Sequence, residues 1–148
     1  MKEMRLLIHE LLPTQLDEVG LVNTIQLRLD TVEKRAGINA RLLAGELGYL
    51  QDSETRVLYR IAREALNNSL KHANANEVTV CIHRPNQDVH LEIADDGIGF
   101  EPQEAASSGG LGLQSMQQRA QRSGGEFSID SAPQKGTRIK VVLRCSND

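Results

Sequence analysis

Glu64, Asn68 and Lys71 lie in the run Glu64-Ala65-Leu66-Asn67-Asn68-Ser69-Leu70-Lys71-His72. At about 100° per residue on a helix, these three side chains share a sector of about 60°. An acid, an amide and an ammonium then project from one rigid face. An amide oxygen suits Mg²⁺, which takes few protein oxygens and keeps several waters. A glutamate carboxylate can orient a water or accept a proton. An ammonium can meet a phosphate. Polar side chains also make an ordinary solvated helix face, and this run alone does not separate the two readings.

A second run, Asp95-Asp96-Gly97-Ile98-Gly99-Phe100, follows directly on the alternating Val89, Leu91 and Ile93. A carboxylate at a strand end can accept a hydrogen bond from an exocyclic amine, which selects adenine over guanine. Glycines beside it let backbone approach a planar base with no Cβ in the way. Asp-Gly is also a common turn dipeptide, but a plain turn does not need two spaced glycines and a following Phe. The third run, Gly109-Gly110-Leu111-Gly112-Leu113, opens a helix striped by Leu113, Met116 and Ala120. Free N–H groups at a helix start bind anions, and glycines let a phosphate come close. The run is not a Walker loop, because no Gly-Lys-Ser/Thr follows. It does not follow a strand directly, as a Rossmann turn would. The polar, aperiodic stretch 101–108 before it is predicted to be a loop able to act as a lid over a ligand. In this order the three runs predict a site for ATP and its magnesium.

The elements that must hold these residues are legible from periodicity. Met4, Leu7, Ile8, Leu11 and Leu12 form an apolar helical stretch over 2–12, which Pro13 is predicted to break. Leu21, Ile25, Leu29 and Val32 recur at three to four and predict a helix over about 17–34, ended by Gly37. Ile38, Ala40, Leu42 and Ala44 alternate as a strand would. Ser53 and Glu54 are predicted to open the next helix, which runs to about His72 and stops at Asn74 and Asn76. Val78, Val80 and Ile82, then Val89, Leu91 and Ile93, predict a hairpin around Pro85-Asn86-Gln87-Asp88. A second hairpin is predicted over 126–131 and 137–143, after a helix closed by Gly124-Gly125. This pattern implies an α+β fold, a two-layer α/β sandwich whose mixed, mostly antiparallel sheet is covered on one face by helices.

The chain has 148 residues and a net charge of −3, with no Trp, two Tyr and two Phe. One compact domain of this size can bury a real core. No basic field or set of stacking rings argues for nucleic acid. Cys81 and Cys145 are the only cysteines and lack metal-like spacing, so a reduced, cytoplasmic setting is expected. No apolar run approaches the ~20 residues of a membrane span, so no direct membrane contact is expected from this chain. A parent protein could be anchored by a segment outside it.

The three runs together resemble the ATP-binding domain of two-component sensor histidine kinases, within the gyrase, heat-shock chaperone, histidine kinase and MutL (GHKL) superfamily. Arg63-Glu64-Ala65-Leu66-Asn67-Asn68-Ser69-Leu70-Lys71-His72-Ala73 is similar to its asparagine box. The Asp95 and Gly110 runs are similar to its first and second glycine boxes, and Lys135-Gly136-Thr137 to the glycine-threonine near its last strand. Leu12-Pro13, Leu16 and Val19-Gly20-Leu21 resemble the passage from dimerisation helix to kinase core in the subfamily whose response regulators carry helix-turn-helix output domains. The resemblance implies the Bergerat-type ATP-binding fold. Residues 1–14 would be the tail of a dimerisation and phosphoacceptor region, and 15–148 the catalytic domain.

The resemblance also implies roles. Asn68 would ligate Mg²⁺, and Glu64 would polarise the phosphoacceptor or a water. Lys71 and His72 would contact phosphates. Asp95 would hold the adenine amine, with Gly97, Ile98 and Gly99 around the base. Gly110, Leu111, Gly112 and Leu113 would supply the phosphate-lining box, under a lid over about 101–110. Thr137 would support the Asp95 end through a hydroxyl or a water. The implied partners are the dimerisation domain of the same kinase, whose histidine takes the γ-phosphoryl, and a response regulator that receives it on aspartate. His9-Glu10 superficially fits an acceptor, but Pro13 stands too close for the long helix an acceptor needs. The chain thus reads as a monomeric catalytic piece of a homodimeric parent, without its own acceptor histidine. Two other readings share the fold: a nucleotide-binding interaction module without phosphotransfer, and an anti-sigma-type serine kinase.

Overall fold

The computed structural model describes residues 13–72, 74–101 and 112–144. Helix α1 (Pro13–Arg28) comes first. Pro13 is its first described position, and the apolar helix predicted over 2–12 lies outside the described residues. The predicted helix over 17–34 is divided. Gly20 interrupts it with φ 83 and ψ 164, and the Thr24 hydroxyl donates to the Gly20 carbonyl at 2.7 Å. Beyond Arg28 the chain widens into one π-helical turn, Leu29–Glu33.

That turn carries a buried ion pair. Arg28 and Glu33 side chains are 2% and 0% exposed, with Nη2 and Oε2 2.8 Å apart. Arg28 Nε adds donations to Oε1 at 3.1 Å and Oε2 at 3.2 Å. Arg28 Nη2 also donates to Asn67 Oδ1 at 2.9 Å. A guanidinium fork can make all these bonds at once. It ties the π turn to the next helix, one residue before Asn68.

Strand β1 (Asn39–Ala44) leads through a loop to helix α2 (Asp52–Lys71). The helix starts earlier than Ser53 suggests. Gln51 is the N-cap, and it forms a reciprocal capping box with Glu54, whose carboxylate accepts the Gln51 N–H at 2.8 Å. The box satisfies two orphan donors. The predicted stop holds, with His72 as C-cap and Asn74 at φ 50. Strands β2 (Glu77–His83) and β3 (Val89–Asp95), helix α3 (Leu113–Arg122), and strands β4 (Glu126–Ser131) and β5 (Thr137–Leu143) complete the order.

The sheet runs β1-β2-β3-β5-β4. Its β1–β2 pair is parallel and the other pairs are antiparallel. Helices α1, α2 and α3 contribute to one core against one sheet face: Ile25 from α1, Leu58 and Ile61 from α2, and Met116 from α3 are each at most 1% exposed. Facing them are Val80, Leu91 and Val141. Strand alternation then places the site. Val89, Leu91 and Ile93 point inward, and the next residue of that parity is Asp95. Ile139, Val141 and Leu143 point inward on β5, and the residue that begins that series is Thr137. Asp95 and Thr137 are register partners, so a carboxyl and a hydroxyl emerge side by side where the apolar rows end.

Candidate functional site

Where those rows end, a cavity of about 170 Å³ opens between α2 and the ends of β3 and β5. Helix α2 and its C-cap line it with Asn68, Ser69 and His72; the sheet supplies Asp95 and Thr137; the segment after β3 supplies Ile98, Gly99 and Phe100. Residues from the first two of the three runs that promised chemistry converge here, beside Thr137.

Asp95 is held from both sides. Its Oδ1 accepts the Gly97 N–H at 2.8 Å. Its Oδ2 accepts the Ser69 hydroxyl at 2.6 Å. Ser69 is 1% exposed, and its contact with a second acceptor, Ala65 O, is longer at 3.3 Å. The short charge-assisted bond therefore takes the single hydroxyl proton. A carboxylate has about four lone-pair sites. Two are used, and acceptor capacity remains for a ligand at the cavity. The adjacent Asp96 turns away and does different work: its Oδ1 accepts the N–H groups of Asn76 at 2.8 Å and Glu77 at 2.9 Å, capping the start of β2.

Gly99 lines the cavity beside Ile98, and with Gly136 it also permits a close backbone contact. Gly99 has φ 67, and a Cβ there would run into the Ala132 carbonyl and lie 2.9 Å from the Gly136 carbonyl. Gly136, with φ 75, has the Asp95 carbonyl where its Cβ would be. The close approach they permit is backbone on backbone, where the β4–β5 turn closes against the segment after β3. Gln134 N–H donates to the Ile98 carbonyl in the same contact. Gly97 is buried and serves through its N–H; Ile98 is 44% exposed on the cavity wall.

Other predicted site residues lie around the cavity rather than on it. Lys71 is exposed and not part of its lining. Glu64 also stands off the lining, packed against Gly112, where a Cβ would sit 2.6 Å from Glu64 Oε2. Gly112 is the N-cap of α3 with φ 63. Leu113 is 6% exposed and belongs to the core. Gly109, Gly110, Leu111 and all but Glu101 of the lid predicted over about 101–110 lie outside the described residues, as do Ala73, His9, Cys145 and the rest of 1–12. His83 and His90 face each other on the open side of the sheet, with ring centroids 5.2 Å apart.

The structure adds two functional-site residues that the sequence does not single out. The helical pattern places Ser69 toward the core; a hydroxyl inside the apolar stripe of α2 is the signal that it has a polar partner. Ser131 carries no signal beyond its place before a turn. Its Oγ accepts the Phe100 N–H at 3.0 Å and lies 3.0 Å from the Gly136 carbonyl and 2.9 Å from Thr137 Oγ1.

The family described as histidine kinase-, DNA gyrase B- and HSP90-like ATPase matches residues 53–147. The chain belongs to this ATPase family. Among curated relatives, an uncharacterised sensor-like histidine kinase of Chloroflexus aurantiacus is 35% identical over 149 residues, covering 95% of this chain and 25% of that protein. The sensor histidine kinase LiaS of Bacillus subtilis is 34% identical over 141 residues, covering 95% of this chain and 39% of the relative. The chain thus spans well under half the length of these relatives. The fold matches the histidine kinase domain of a blue-light activated kinase from Erythrobacter litoralis with a TM-score of 0.67 at 17% identity, over 83% of this chain and 60% of that one. It matches the catalytic domain of the histidine kinase ThkA with a TM-score of 0.68 at 10% identity, over 84% and 89% of the two chains. The expected two-layer sandwich is the fold of these domains. Among the described residues of this ATPase domain, no helix is long and apolar enough to cross a membrane.

Proposed function

We propose that this chain is the catalytic, ATP-binding domain of a two-component sensor histidine kinase, of the subfamily that signals to response regulators with helix-turn-helix output domains. It takes Mg-ATP and passes the γ-phosphoryl to a histidine on the dimerisation domain of the same kinase, for relay to a response-regulator aspartate. The parent protein is a homodimer working at the cytoplasmic side, and residues 1–14 belong to its dimerisation region. The observation that carries this reading is Asp95: a carboxylate at the cavity wall, held by Ser69 and Gly97, with acceptor capacity left for an adenine amine. The matched relatives are sensor kinases, which favours phosphotransfer over a binding-only module or a serine kinase.

The base lies against Ile98 and Gly99 with its amine on Asp95, and Thr137 supports that end. The triphosphate extends along α2 past His72 and Asn68 toward the start of α3; by the family resemblance, the run Gly110-Leu111-Gly112-Leu113 would supply the phosphate-lining box. Lys71 reaches the phosphates from its exposed position. The donor chemistry fits magnesium: Asn68 offers a neutral amide oxygen at the cavity. Among the described residues no group of three His, Cys, Asp or Glu forms a metal cage. One amide suits an ion that keeps its waters and shares the phosphates. Bound Mg²⁺ supplies neutralisation of phosphate charge. Glu64, on the same helix one turn from Asn68, orients the acceptor imidazole and holds its ring proton. Catalysis then rests mostly on positioning.

The test is to mix this chain with Mg-ATP and the dimerisation domain of its parent kinase. The expected product is an acid-labile, base-stable phosphoprotein, formed by wild type and not by Glu64→Gln. Acid-stable label would support a serine kinase, and ATP binding without any label would support a binding module.

A further inference from the structure

Ser131 does not line the cavity, yet three pieces of its wall or frame meet at its hydroxyl: the Phe100 N–H, the Gly136 carbonyl and the Thr137 hydroxyl. A serine hydroxyl has one proton and two lone pairs. The Phe100 N–H takes one lone pair, since an amide can only donate. The carbonyl of buried Gly136 can only accept, so the Ser131 proton goes to it. The contact left over, with Thr137 Oγ1, must then be a donation from Thr137 to the second Ser131 lone pair. The Thr137 proton is thereby committed away from the cavity, and toward the ligand this hydroxyl presents lone pairs alone.

Thr137 stands in register with Asp95, whose carboxylate is also an acceptor. The polar end of the cavity is therefore made of two neighbouring acceptors, with no hydroxyl proton to offer. An exocyclic amine is welcome there. A carbonyl at the same position of a purine meets only lone pairs, and desolvating it unpaired is costly. A Thr137 free to rotate would donate to that carbonyl and blunt the discrimination.

We propose that Ser131 is a positioning residue for base selection, holding Thr137 as an acceptor so that the site refuses purines with a 6-oxo group. This rests on the reading of Asp95 as the contact to the amine. It predicts that the selectivity of the site depends on a residue that touches no ligand.

The experiment compares ATP with ITP by calorimetry in wild type, Ser131→Ala, Ser131→Thr, and the Ser131→Ala/Thr137→Val double variant. Losing the Phe100 tether weakens both nucleotides alike, so the ratio of the two dissociation constants is the readout. In Ser131→Ala the released Thr137 proton should lower the ITP-to-ATP ratio about 5- to 10-fold, the worth of one hydrogen bond. Adding Thr137→Val removes that proton and should restore the wild-type ratio, and Ser131→Thr should keep it throughout. A Ser131→Ala variant that weakens ATP and ITP by equal factors, or a double variant with the same ratio as Ser131→Ala, overturns the proposal and leaves Ser131 as a structural tether. Wild type that binds neither nucleotide overturns the Asp95 reading and this inference with it.

Discussion

Replacing Asp95 by Asn exchanges one acceptor oxygen for a donor with almost no change in volume. The hydrogen-bond pattern shows which oxygen. Oδ1 keeps its bond from the Gly97 N–H, so the new amide nitrogen takes the place of Oδ2 opposite Ser69. Ser69 can then accept from that nitrogen and turn its own proton to Ala65 O, already 3.3 Å away. The local fold loses a charge-assisted bond and gains a neutral one, a change of about 1 kcal/mol. For a chain of this size that lowers the melting temperature by about 2–4 °C. The ligand suffers more. The second amide hydrogen faces the adenine amine, so a bond to a charged group worth about 1.5–3 kcal/mol is replaced by two opposed donors. ATP affinity should fall about 10- to 100-fold, by calorimetry in the presence of Mg²⁺. The same amide can donate to a 6-oxo group, so ITP should lose much less than ATP. An Asp95→Asn variant that melts near the wild-type temperature and binds ATP with unchanged affinity would refute the argument that this carboxylate reads the base.

Two further outcomes follow from particular contacts. Arg28→Met leaves the Glu33 carboxylate buried without its guanidinium, and breaking such a pair costs about 3–5 kcal/mol; Arg28→Met/Glu33→Leu should recover most of that in denaturant melts, and equal losses in the single and double variants would count against the pair as the cause. Gly112→Ala places a Cβ 2.6 Å from Glu64 Oε2 in a left-handed backbone. The displaced carboxylate should slow phosphotransfer about 10- to 100-fold at saturating ATP, so an unchanged rate of labelling at saturation would place Glu64 outside the reaction.

Much of the frame is legible in the chain because it rests on local periodicity. The row Val89, Leu91, Ile93 points to the core, and a period of two carries Asp95 to the same face without any knowledge of the partner strand. The same count places Thr137. The stripe on α2 puts Asn68 on a polar face by angle alone. Local geometry also misleads where a competing local interaction wins. Ser53 is displaced as cap by the reciprocal Gln51–Glu54 pair.

Residue identity and spacing by themselves determined which side chains could do chemistry, on which face of which element, and that the elements form two layers. What tertiary structure alone decided is which of them touch. Ser69 and Asp95 are 26 residues apart, Arg28 and Asn67 are 39, and Phe100 and Ser131 are 31. Contacts at that separation depend on sheet order and strand register, which many residues set together and no short motif records. A hydroxyl has one proton to give, and its direction is chosen by every acceptor packed around it; in Ser131 and Thr137 that choice exists only once three distant segments have met.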